Sequence, residues 1–211
     1  MNSLSLLFSG RGSNANSIIN CILNKKLNFN INKIVCNNIK APGINLIKNL
    51  NLNVNVLDIN SYDSISKYNE SLIEILKPSD KEILVLCGYM AKIPEYIIDI
   101  YNGNIINIHP SLLPKYKGLN THEKVISNKD KIHGCSTHYV TKDIDCGPII
   151  AQYTIPVEQD DNSASLSAKL LKKEHILFFE TLKMIERKEV KLKKNKIYFK
   201  ENILKTPIIF N

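Results

Sequence analysis

Leu4-Ser5-Leu6-Leu7-Phe8-Ser9-Gly10-Arg11-Gly12-Ser13-Asn14, continued by Ala15 to Leu23, decides the fold. A short apolar run, a Gly/Ser loop and apolar residues at helical spacing predict strand, loop and helix in that order. The unit then recurs. Lys33 to Cys36 reads as strand, Gly43 to Asn49 as helix, Val54 to Leu57 as strand, Tyr62 to Leu76 as helix and Ile83 to Cys87 as strand. Apolar strands alternating with helices require a sheet covered on both faces, so the expectation is an α/β, doubly wound, mostly parallel sheet. After a fifth strand at Ile105 to Ile108, the pattern predicts a short helix over Thr121 to Ser127 and strands over Cys135 to Val140 and Ile149 to Ile155. The last two are expected as an antiparallel edge of the sheet. Asn162 or Ser163 can cap a long helix to about Arg187, and a small strand is expected near Ile197 to Phe199. Nothing reads as a linker or an internal repeat, so residues 1–211 are expected to form a single domain.

The fifth strand leads into the chemistry. In Ile105-Ile106-Asn107-Ile108-His109-Pro110, proline expels the chain from the sheet and holds His109 extended. Asn107 and His109, two residues apart, leave the same side of the strand and can converge on one reacting atom. A carboxamide can donate to the oxyanion of a tetrahedral intermediate, and an imidazole can donate or move a proton, which suggests acyl transfer. Residue types alone equally admit Asn107 as a turn cap and His109 as a packing partner of Pro110. Asp145, before Cys146-Gly147-Pro148, comes from a tight loop and can hold His109 through its charge, or serve as an ordinary turn residue.

Between the first strand and its helix, the amides of Ser9-Gly10-Arg11-Gly12-Ser13-Asn14 and the helix N-terminus form a receptor suited to phosphate. The loop lacks a Walker lysine and dinucleotide spacing, which argues against ATP or NAD. Taken alone, it fits an unliganded turn equally well.

The formal net charge of +8 raises the question of a nucleic-acid partner. Lysines are spread among Asn and Ile, and the densest basic run, Lys188 to Lys200, has little aromatic interleaving, so it reads as solvated surface that can steer anionic substrates. No apolar run approaches membrane-spanning length, and the protein is expected to be soluble and cytoplasmic. Cys21, Cys36, Cys87, Cys135 and Cys146 fall at no zinc-like spacing, and their odd number argues against a disulfide framework. Cys146 is expected to pack. His122, His133, His138 and His175 lack ligand spacing, so no metal is expected.

Three segments carry a resemblance. His109-Pro110-Ser111-Leu112-Leu113-Pro114 with Gly118 and His122, then Gly134 to Ile150 with Asp145, and Ser9 to Asn14 resemble, in order and spacing, the folate-dependent formyltransferases. The form Lys115-Tyr116-Lys117-Gly118-Leu119-Asn120-Thr121-His122 is similar to the branch that formylates glycinamide ribonucleotide. The resemblance implies a formyltransferase-like fold with a phosphate-binding half at about 1–100 and a folate-binding, catalytic half at about 101–211. It implies 10-formyltetrahydrofolate as co-substrate and glycinamide ribonucleotide as acceptor, with no nucleic acid or membrane partner, in a monomer or homodimer. Asn107, His109 and Asp145 would be catalytic. Gly12, Ser13 and Asn14 would bind the phosphate, and Glu174 would contact the glycinamide moiety, although a glutamate on a helix is ordinarily solvated. Met90, Ala91, Lys92 and Ile93, with Asn107, Thr141, Lys142, Asp143, Ile144 and Asp145, would lie against the folate. Ala91 and Ile65 stand where relatives often carry arginine, which leaves the hold on the folate glutamate tail open. A formyltetrahydrofolate hydrolase or a tRNA formyltransferase-like enzyme would share the three catalytic residues but carries a further domain and a different first loop. A non-catalytic nucleotide-binding module would use the phosphate loop alone.

Overall fold

The computed structural model describes residues 2–211. It contains two compact units, Met1–Asn107 and Ile108–Asn211.

In the first unit the elements run β1 (Asn2–Phe8), α1 (Ser13–Leu23), β2 (Phe29–Cys36), α2 (Gly43–Lys48), β3 (Asn55–Val56), α3 (Ile65–Ile75), β4 (Glu82–Leu86) and α4 (Glu95–Ile100). The strand β5 (Ile105–His109) begins here and ends in the second unit. The strand order is β3-β2-β1-β4-β5, with all pairs parallel. Leu4, Leu6, Leu7 and Phe8 are all fully buried, as a strand covered on both faces demands. The chain enters at β1, winds out to β3 and returns through β4. The order therefore reverses between β1 and β4, where open α/β sheets bind ligands at the carboxyl ends of their strands. The opposite end of β4 is anchored by Glu82, which is buried yet accepts hydrogen bonds from Ser5 Oγ (2.5 Å), Asn32 Nδ2 (2.6 Å), Ser79 N and Oγ (both 2.8 Å) and Tyr101 OH (2.9 Å). Burial alone would raise its carboxyl, but these donors hold it below the usual range.

The second unit continues with α5 (Thr121–Ser127), β6 (Ile132–Tyr139), β7 (Ile149–Pro156), α6 (Ser163–Glu186), β8 (Val190–Lys193), β9 (Lys196–Phe199), β10 (Asn202–Ile203) and β11 (Ile208–Phe210). As expected, β6 and β7 are antiparallel. The expected edge needs refinement: Ile208–Phe210 pairs in parallel with Ala151–Tyr153, so β11 lies outside β7. The strands β8, β9 and β10 form a separate antiparallel sheet. In α6 the Asn162 side chain accepts from Ala164 N and Ser165 N while Ser165 Oγ accepts from Asn162 N, a reciprocal cap. Leu166, Leu170, Leu177, Phe178 and Leu182 make its fully buried stripe, and the helix lies on β6 and β7. No helix among the described residues is long and apolar enough to cross a membrane.

Candidate active site

At the C-terminal end of β1, Gly12 takes φ +66° and N-caps α1 without a side chain to occupy the first-turn amides. No acidic residue sits in that turn. Ser13 and Asn14 thus open a helix whose N-terminal field favours an anion. Gly12 is required for its conformation and for space: an added Cβ would lie 3.1 Å from Gly43 Cα and 3.4 Å from the Phe8 ring. Gly43 donates its amide to Gly10 O (3.2 Å), and a Cβ there would meet the same oxygen at 2.8 Å, so α2 braces the loop by close backbone approach.

Ser9 joins this loop to the one after β4. Its N–H donates to Gly88 O (3.2 Å), and its Oγ accepts from Met90 N (2.8 Å). Of the four residues expected beside folate here, Met90 and Lys92 are exposed, Ala91 is half-buried and Ile93 is buried in the core. Ile93 can therefore offer only its backbone to a ligand.

In the second unit, His109 is 5% exposed, with Nδ1 3.3 Å from Asp145 Oδ2 and Nε2 2.8 Å from Tyr116 O. A carbonyl can only accept, so Nε2 carries a proton. Burial pushes the imidazole below its ordinary basicity, more than the Tyr116 carbonyl and the Asp145 charge raise it; His138 and Lys124 push the same way as burial. Asp145 sits at φ +50°, a left-handed conformation that Asp and Asn tolerate better than other side chains. Its Oδ2 also accepts from Gly118 N (2.9 Å), and its Oδ1 lies 3.6 Å from His138 Nε2. Burial alone would raise this carboxyl; His138, the Gly118 amide and the His109 ring together outweigh it and hold Asp145 below the usual carboxylate range. Gly147 closes the loop against β6, where a Cβ would fall 1.7 Å from Tyr139 O.

The segment carrying Tyr116 is tightly held. Ser136 Oγ donates to Ser111 O (2.6 Å) and accepts from Leu113 N (3.0 Å), while Gln152 Nε2 donates to Leu113 O (2.8 Å). Tyr116 itself has φ +56°, unusual for an aromatic residue, and its hydroxyl donates to Asp130 Oδ2 (2.8 Å).

Asn107 is half-buried on β5, one strand repeat before His109 and on the same side of the strand. Thr141 is half-buried, whereas Lys142, Asp143 and Ile144 are exposed. Glu174 departs from a solvated helix glutamate: it is 9% exposed, within the inner stripe of α6, and its charge helps raise the Cys135 thiol after burial. Cys146, expected to pack, is exposed and receives a hydrogen bond from Lys117 Nζ (2.9 Å). The reason is local: Gly147 is the buried residue that fits beneath Tyr139, which leaves its predecessor on the outside of the turn. Sequence reasoning missed Tyr116 O and Gly118 N, backbone groups that no residue type announces, and His138, whose only signal was its place on the strand feeding the Asp145 loop.

A buried imidazole paired with a carboxylate, at the end of a parallel strand in an α/β fold, suits acyl-type group transfer. The chain belongs to the formyl transferase family, whose model matches residues 3–182. It is 33% identical over 173 residues to the phosphoribosylglycinamide formyltransferase of Escherichia coli (strain K12), covering 82% of each chain. It is 29% identical over 192 residues to the human trifunctional purine biosynthetic protein adenosine-3, covering 91% of this chain but only 19% of that protein's length. The solved structure of phosphoribosylglycinamide formyltransferase from Coxiella burnetii, in complex with CHES, superposes with TM-score 0.91 at 31% identity, covering 100% of this chain and 99% of that one. Both the mostly parallel α/β fold and the family expected from the sequence hold.

Proposed function

We propose that this enzyme transfers the formyl group of 10-formyltetrahydrofolate to the amine of glycinamide ribonucleotide in purine biosynthesis, within the cytoplasm. The observation that carries the chemistry is the His109–Asp145 pair at 3.3 Å, with Asn107 two residues before His109 on the same side of β5. The phosphate of the acceptor binds at the amides of Ser13 and Asn14, and Glu174 faces its glycinamide moiety. Backbone groups of Met90 to Ile93 and of Thr141 to Asp145 receive the folate. The neutral amine attacks the formyl carbon, forming a carbon–nitrogen bond and a tetrahedral oxyanion. The Asn107 amide donates to that oxygen, and the His109 Nε2–H turns from the Tyr116 carbonyl to join it. The amine proton passes through water, with the help of Asp145, to His109 Nδ1, the ring nitrogen left without one, and Asp145 stabilises the imidazolium so formed. The bond to the folate nitrogen then breaks, and the proton passes to that nitrogen, releasing tetrahydrofolate. We read residues 1–211 as one formyltransferase domain that works as a monomer or a homodimer.

The test is a formyl-transfer assay offering glycinamide ribonucleotide, water or initiator tRNA as acceptor. Turnover should require the ribonucleotide. Formate release at an equal rate without it would establish a hydrolase instead, and formylation of initiator tRNA alone would establish the tRNA-directed reaction.

A further inference from the structure

His109 stands between two acceptors and, as a neutral ring, has one proton to offer them. Tyr116 O lies 2.8 Å from Nε2, and Asp145 Oδ2, which also accepts from Gly118 N, lies 3.3 Å from Nδ1. The shorter contact favours the proton on Nε2. Only that tautomer can donate to a formyl oxyanion through Nε2 and take up a proton at Nδ1, so the position of one carbonyl decides which form of the ring the reaction meets.

That carbonyl belongs to no strand or helix. Tyr116 lies in the segment between β5 and α5 at φ +56°, a conformation that an aromatic residue leaves unless its surroundings hold it. The hold is on its side chain. The hydroxyl donates to Asp130 Oδ2 (2.8 Å) and accepts from Asn128 Nδ2 (2.7 Å), which satisfies it in both senses. Asn128 caps the C-terminus of α5, and the amide of Asp130 donates to Val125 O (3.1 Å), so both partners are fixed by the end of that helix. Asp130 also accepts from Lys115 Nζ at 2.7 and 2.8 Å, but this lysine is exposed, and an exposed ion pair adds little. Asp130 thus grips the outer end of Tyr116 while the inner end of the same residue meets His109.

Resting on the formyl-transfer reading, we propose that Asp130 is a positioning residue for the reaction: through the Tyr116 hydroxyl it keeps Tyr116 O on His109 Nε2, and so keeps the ring in the tautomer that can donate to the oxyanion. Without that grip the carboxylate of Asp145 competes for the ring proton and draws it to Nδ1.

The test is nitrogen NMR of the enzyme carrying isotopically labelled histidine, near neutral pH, with His109→Asn used to assign the His109 resonances, beside steady-state formyl transfer. In the wild type the protonated nitrogen should be Nε2. In Asp130→Ala and in Tyr116→Phe the proton should shift towards Nδ1, and kcat should fall about tenfold, in proportion to the Nε2–H fraction that remains, with both substrate KM values within about twofold of wild type. Adding Asp130→Ala to Tyr116→Phe should cost nothing more, because the bond is already gone. Asp130→Asn, which keeps an acceptor for the hydroxyl, should restore the tautomer and most of kcat. A wild-type ring protonated on Nδ1, a tautomer that does not move in folded variants, or an unchanged kcat despite a moved tautomer would overturn the proposal. So would an Asn variant as damaged as the Ala variant, which would assign the effect to the charge pair with Lys115. Absence of turnover by the wild type with glycinamide ribonucleotide would strike the formyl-transfer reading instead, because the resonances report the tautomer without any substrate.

Discussion

Asp145→Asn tests the centre of the mechanism with little disturbance to the fold. Asn tolerates the φ of +50° found there, and its side-chain oxygen can still accept from Gly118 N. What disappears is the negative charge 3.3 Å from His109 Nδ1. For two unit charges at that separation, an effective dielectric of about 20 gives an interaction of roughly 5 kcal/mol. Because the neighbouring groups relax, about 2–4 kcal/mol of it should appear as lost stabilisation of the imidazolium, a fall in kcat of roughly 30- to 1000-fold. The pH dependence must move in a stated direction. Asp145 raises the basicity of His109, so removing its charge lowers it further, and the acid limb of kcat/KM should shift to lower pH. Steady-state formyl transfer from pH 5 to 9, with circular dichroism as the control for folding, measures both effects. A folded variant with an unchanged rate and an unmoved acid limb would show that Asp145 is only a turn residue and that the proton is carried elsewhere.

Asn107→Ala and His109→Ala should each lower kcat about a hundredfold or more with smaller changes in substrate KM, since each removes a donor aimed at charge that develops during reaction; near-normal turnover in either folded variant would remove it from the site. Gly12→Ala should raise the KM for glycinamide ribonucleotide far more than that for the folate, because a Cβ meets Gly43 Cα at 3.1 Å and distorts the loop, whereas Gly10→Ala, with nothing within 4 Å of its Cβ, should leave both constants near wild type. The buried His133 ring is pushed down to about 4 by burial and by its neighbour His122. Its depressed basicity means that the unfolded chain binds the proton first as pH falls through about 6.5, so stability present at neutral pH is lost down to pH about 4. Between pH 7 and 5 this amounts to about 2 kcal/mol, and urea unfolding of His133→Asn should show a correspondingly shallower decline; an identical pH slope in wild type and variant would refute the assignment.

The strands and most helices were legible because their apolar periods are clean: the predicted helix over Thr121 to Ser127 coincides with α5. Glu95–Ile100 escaped notice because a six-residue helix offers hardly two turns of period. Ile208–Phe210 escaped because three residues of strand cannot be told from loop, and its omission left β7 misread as the edge. At the site, Asn107, His109 and Asp145 were readable as residue types, and the fit of His109 to Asp145 followed. The groups that hold them, Tyr116 O and Gly118 N, were not, because a backbone atom acquires a role only through the path of the chain. Cys146 departs from the packing expected of it because the turn assigns the inner place to Gly147.

Ser9 touches no reacting atom in this account, yet it is bonded at once to the phosphate-loop side and to the loop after β4 through Gly88 O and Met90 N. Such a junction is a route by which order in one loop can reach the other. Whatever ordering of loop 9–14 a bound phosphate supplies, Ser9 transmits part of it to loop 88–93. With the substrates seated as proposed, a phosphate that tightens the first loop would favour folate on the second, and by linkage folate would favour the phosphate by the same factor. Ser9→Ala would remove the Oγ bond to Met90 N but keep the backbone bond to Gly88 O, so on the proposed reading each substrate would favour the other less than in the wild type.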